Sequence, residues 1–174
     1  MIVPALLVTA VLLSAFVRAG VVHAADVEVA GPLFGDWWKL LSSPFVHRDI
    51  GYAAVVLCVF ALFGSQIERR LGRSFALVVW LFAGALGCWL ASLGTIQPCG
   101  GALAAAAAVA SAWTLAELLA RRRGATDGDL VGGLVAIAVL IPLPLLVSQA
   151  TWIALGSGLV VGAITGLVLA KQGR

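Results

Sequence analysis

Apolar residues run along this chain in six long blocks, and the short stretches between them hold nearly all of the charge. A hydrocarbon layer about 30 Å thick is crossed by about 20 apolar residues in a helix. The blocks are of that order, at residues 2–17, 50–67, 75–96, 101–119, 130–147 and 152–170. The pattern predicts an all-α membrane protein, a single domain over residues 1–174. It has six transmembrane helices and one long connection, from Arg18 to Asp49, between the first and the second.

The first block also invites a secretory-leader reading, because Val22-His23-Ala24-Ala25 faintly resembles a cleavage site. No basic residue precedes that block, and Arg18 interrupts the approach to the site, so it is read as an anchor.

Composition strengthens the membrane assignment. The chain is 62% hydrophobic and 11% charged, whereas soluble domains carry about 25% charged residues. The basic residues gather in a few places. Arg69, Arg70 and Arg73 follow the second helix, Arg121, Arg122 and Arg123 follow the fourth, and Lys171 and Arg174 sit in the tail. Only Arg18, Lys39 and Arg48 lie in the first loop. The positive-inside rule then puts both termini in the cytoplasm. The net charge of +3 reflects this topology and points to no nucleic acid. The Ala, Gly, Leu and Val bias is compatible with a GC-rich bacterium, hence with a bacterial inner membrane.

Candidate chemistry is sparse. Cys58, Cys88 and Cys99 lack metal-ligand or CxxC spacing, which argues against a disulfide framework and a zinc site. No ionisable residue falls in the central part of any block, which argues against ion-coupled transport. Nothing calls for a cofactor or a metal.

Several features carry structural expectations. Trp37, Trp38 and Lys39 read as an interfacial segment in contact with membrane lipids, and His47, before the second helix, reads as a satisfied interfacial histidine. Ala102 and the run Ala104 to Ala108 make the fourth helix small on every side, so it belongs at the centre of the bundle. Gly158, Gly162 and Gly166, four residues apart, line one face of the sixth helix for packing, best against the fourth. Pro142 and Pro144 remove backbone donors and loosen the fifth helix.

The stretch Trp38-Lys39-Leu40-Leu41-Ser42-Ser43-Pro44-Phe45-Val46-His47 and the stretch Ile67-Glu68-Arg69-Arg70-Leu71-Gly72 resemble the rhomboid intramembrane proteases. The glycine spacing of the sixth helix is similar too. The resemblance implies a six-helix rhomboid-like bundle with a long interfacial first loop. It also implies where a catalytic dyad would stand: a serine at the head of the fourth helix, a histidine on the sixth, and a histidine and an asparagine on the second. In this sequence those positions fall on Gly100, Leu155, Tyr52 and Val56. A one-residue slip puts Cys99 at the nucleophile position, yet no histidine follows residue 47 to serve as a base.

The resemblance therefore implies a catalytically inactive relative, a binder of transmembrane helices of other membrane proteins. The alternative is an accessory subunit of a stable hetero-complex. A lipid- or solute-moving protein and a thiol hydrolase using Cys99 stand further back.

Overall fold

The computed structural model describes residues 1–33, 35–94, 96–124 and 129–172. Thr95, inside the expected third helix, and Arg174, counted in the basic tail, lie outside the described residues. The elements run in the order α1 (Val3–Arg18), α2 (Ala24–Val27), β1 (Val29–Ala30) and α3 (Trp38–Ser42), which a 3-10 turn (Ser43–Phe45) continues. Then come α4 (Ile50–Leu71), α5 (Arg73–Gly94), β2 (Pro98–Cys99) and α6 (Ala102–Arg122). The last are α7 (Leu130–Leu140), α8 (Leu143–Leu146) and α9 (Trp152–Gln172).

The fold is helical, but β1 and β2 form a short antiparallel pair, with Val29 opposite Cys99 and Ala30 opposite Pro98. This pair ties the first loop to the α5–α6 connection, which hydrophobic blocks cannot reveal. Of the six expected spans, four described helices are long and apolar enough to cross a membrane: α4, α5, α6 and α9. The segments Val3–Arg18 and Leu130–Leu146 are apolar but shorter. In the latter, α7 stops at Leu140 and α8 restarts at Leu143. Pro142 lacks an N–H and crowds the carbonyl one turn back, so α7 cannot run through it, and Pro144 sits in the first turn of α8, where a missing N–H is tolerated.

Helix α6 is the axis of the bundle. Every residue from Ala102 to Trp113 is buried, and α4, α5, α7 and α9 all pack against it, α9 most extensively. Side chains of one carbon let backbones approach closely, and close packing substitutes for the hydrophobic drive that lipid cannot supply. Local signals set the ends. Asp49 accepts a hydrogen bond from Tyr52 N at 2.7 Å and so caps α4. Gly72, at φ 93°, ends α4 in a conformation that favours glycine.

Long-range contacts sort the ends of the helices onto two faces. On one, the Ile2 and Val3 N–H groups donate to Glu68 at 2.6 and 3.0 Å. There too Arg70 pairs with Glu117 at 3.0 Å, and Arg123 donates to Ala170 O at 2.7 Å. On the opposite face, Arg18 donates to Arg48 O at 2.8 Å, beside the β1–β2 pair.

Candidate functional site

The head of α6, on the first-loop face, brings several buried polar groups together. Gly100 follows β2 and leads into α6. Its N–H donates to Gln149 O at 3.1 Å, and its carbonyl accepts from the Tyr52 hydroxyl at 3.0 Å. Tyr52 reaches it from the first turn of α4, whose start Asp49 fixes. The ring is 1% exposed. A Cβ on Gly100 would come within 3.0 Å of the Tyr52 hydroxyl and 3.4 Å of its ring, tighter than most side chains tolerate. Val56, one turn further along α4, is fully buried, and Leu155, in the first turn of α9, lies in the same apolar core. Tyr52 and Gly100 are thus in direct contact, and Val56 and Leu155 add only hydrocarbon.

A cluster beside this point has no counterpart in the sequence reading. Glu28, just before β1, is buried. Arg48 holds it through Nε at 2.9 Å and Nη2 at 2.5 Å, and Gln149 Nε2 donates to it at 3.2 Å. The Gln149 Oε1 in turn accepts from Arg48 N at 2.8 Å. Three segments are joined here: the first loop, the lead into α4 and the lead into α9. A buried carboxylate persists only when its charge is met by a partner and its lone pairs by donors. Glu28 and Gln149 are separated by 121 residues, so no local spacing could have flagged them.

The interfacial set divides. Trp37 and Trp38 are exposed at 62% and 50%. Lys39 lies 5.9 Å from the Trp38 ring and pairs with Asp36 at 2.6 Å. His47 is not exposed beside them. It is 2% exposed, held by Ser14 of α1, whose Oγ lies 3.1 Å from Nδ1 and 3.0 Å from the His47 N–H. The docking of α1 buries it, and that docking is a tertiary event. Burial lowers its pKa to about 4, with a backbone contact to Phe45 opposing in part, so the ring is neutral at pH 7.

The glycine row of α9 faces α6. A Cβ on Gly158 would meet the backbone of Ala104, one on Gly162 the backbone of Ala108 and the Ser111 hydroxyl, and one on Gly166 would come 2.7 Å from Ala112 O. On the other flank, α4 and α7 leave an open apolar cavity of about 390 Å³. Leu62, Phe63, Val135 and Val139 wall it, and Gln66 and Asp129 lie at its end on the arginine-rich face.

Chemically, the head of α6 offers a phenol and a thiol; the His47 ring lies 5.8 Å from the Tyr52 ring, centroid to centroid, and the Glu28 carboxylate is engaged by Arg48 and Gln149. Contact with the Cys88 side chain, then burial, pushes the Cys99 thiol well above its usual range, which opposes formation of a nucleophilic thiolate. Among the described residues there is no group of three His, Cys, Asp or Glu side chains that could hold a metal ion.

Comparison with known proteins bears on the same region. The Rhomboid domain family matches residues 34–172. The chain is also 28% identical to RHOMBOID-like protein 9, chloroplastic, of Arabidopsis thaliana over 81 residues. That match covers 47% of this chain and 19% of the plant protein's length.

Proposed function

The chain belongs to the rhomboid family of integral membrane proteins, and from that premise we propose that it is a catalytically inactive member that binds transmembrane helices of other membrane proteins. One observation carries the reading. Where the family resemblance implies a nucleophile, Gly100 stands with the Tyr52 hydroxyl so close that even a Cβ would crowd it. A serine hydroxyl needs a base to take its proton and donors to hold the oxyanion. Tyr52, Val56 and Leu155 supply no base, and the Tyr52 donor is already spent on Gly100 O.

The binding role rests on the flank between α4 and α7. A lateral partner needs an apolar wall with weak internal ties, and α7 fits, since its hydrogen-bond ladder ends at Leu140. The cavity there presents mostly aliphatic side chains. The α6–α9 seam, by contrast, is filled. In this reading the two shorter apolar segments also cross the bilayer, giving six passes. Both termini lie in the cytoplasm and the host membrane is the bacterial inner membrane.

Two measurements test it. The purified chain should neither cleave a rhomboid reporter substrate nor label with a serine-directed fluorophosphonate; cleavage lost on mutating one residue of this chain would overturn inactivity. A photocrosslinking probe scanned along α4, α7 and α9 should give partner adducts on α4 and α7. Adducts confined to α9 around Gly158 to Gly166 would refute the docking arrangement. A single partner recovered at fixed stoichiometry would assign the chain to a stable complex instead.

A further inference from the structure

Cys88 lies toward the end of α5, and Cys99 is the second residue of β2. The Cys88 thiol donates to Cys99 O at 3.2 Å. The two thiol side chains also contact each other, and Thr151 approaches Cys99 from the lead into α9. Both cysteines are buried in one small apolar cluster with Val29, Ala91, Ala104 and Ala154. Cys58, the third thiol, is exposed on α4 and takes no part.

An S–H donor is weak, so this contact contributes little as a hydrogen bond. Its geometry suits another use. The Cys88 sulfur already rests against the Cys99 backbone, and the two side chains share one buried cluster. We infer that Cys88 and Cys99 are a disulfide site, a reversible covalent tie between α5 and the strand that leads into Gly100.

The chemistry requires an oxidant, and a small-molecule disulfide serves. One cysteine, as thiolate, attacks the oxidant's S–S bond and expels one thiolate, leaving a mixed disulfide. The second cysteine, deprotonated, attacks the protein sulfur of that mixed disulfide and expels the other thiolate. The two protons lost by the cysteines end on the two released thiols, and two electrons pass to the oxidant. Both thiols are buried in the folded chain, and a thiol closed off in apolar surroundings is inert. The bond therefore forms while β2 is undocked, during folding or local opening, and folding then encloses it.

The tie acts where the site is assembled. Cys99 pairs with Val29 of the first loop and precedes Gly100, which Tyr52 and Gln149 hold. Linking it to α5 closes a short loop and limits the unfolded ensemble. Oxidation thus fixes the first loop, and reduction loosens it.

The test uses the full chain in mild detergent. The reduced protein is held a few degrees below its melting midpoint with oxidised glutathione, then denatured in N-ethylmaleimide and weighed intact. The expected product carries one maleimide, on Cys58, and is two hydrogen atoms lighter in its protein part; the reduced control carries three. A Cys58→Ala chain should go from two maleimides to none, and a Cys88→Ser chain should lose the bond. The oxidised chain should melt higher, and a reductant should reverse the gain. Retention of all three maleimides, stable glutathione adducts, or a disulfide that includes Cys58 would each overturn the assignment.

Discussion

His47 shows how much one buried side chain reports. The unfolded imidazole titrates near 6.5, while burial brings the folded value to about 4. Above pH 6.5 both states are neutral and the group has no effect on stability. As pH falls from 6.5 toward 4 the unfolded chain binds a proton that the folded chain refuses, so stability declines. The loss approaches about 3 kcal/mol near pH 4. Thermal denaturation in detergent across this range should show the decline, and a His47→Gln variant should show less of it. An unchanged slope in that variant would mean other groups control acid sensitivity. Tyr52 makes the complementary point, since a residue that the sequence marks only as replacing a histidine is the donor that closes the head of α6.

At the scale of elements, the α6–α9 seam and the broken α7–α8 segment answer to opposite chemistry. The seam depends on missing side chains. A Cβ at Gly162 would strike the Ala108 carbonyl and the Ser111 hydroxyl, and backbone cannot rotate aside. Gly162→Val should therefore destabilise the chain by about 3 kcal/mol, at the upper end of overpacking costs. Gly156, on the same helix, is open: a Cβ there would meet nothing within 4 Å. Gly156→Ala should be neutral or should stabilise by about 0.5–1 kcal/mol, through helix propensity alone. Melting temperatures of the pair in one detergent decide the matter, and equal effects would remove the seam from the account. The prolines act the other way, by taking away ladder bonds, and they leave α7 held by fewer contacts than α9.

For the molecule as a whole, the faces matter most. Arg70 and Arg123 are tied to the same end of the bundle as Ile2 and Val3. Arg18 and Arg48 are joined at the other. Both ends of the described chain therefore lie on the arginine-rich face, the arrangement that the proposed six passes would give. A reporter fused after Arg174 should be active only if it works in the cytoplasm. Signal from a reporter that works only outside the cytoplasm would reverse the proposed orientation or the number of passes. The same arrangement puts the Glu28–Arg48–Gln149 cluster, the β1–β2 pair and the head of α6 together on the opposite face.

The sequence alone determined the solvent of this protein, and with it much of the architecture. Apolar blocks of spanning length, charge confined to their ends and a run of alanines place a helical bundle in a bilayer, because these depend on local composition. The Trp-Lys and Glu-Arg-Arg-Leu-Gly stretches carried the family in the same way. What only the tertiary structure decided lies between residues far apart in the chain. Ser14 buries His47, Tyr52 fills the space at Gly100, Glu28 is met by Arg48 and Gln149, and Cys88 comes to rest on Cys99. Each of these depends on two or more helices docking at a particular height and rotation. Periodicity shows which side of a helix is apolar, but the packing of neighbours decides which residue stands opposite.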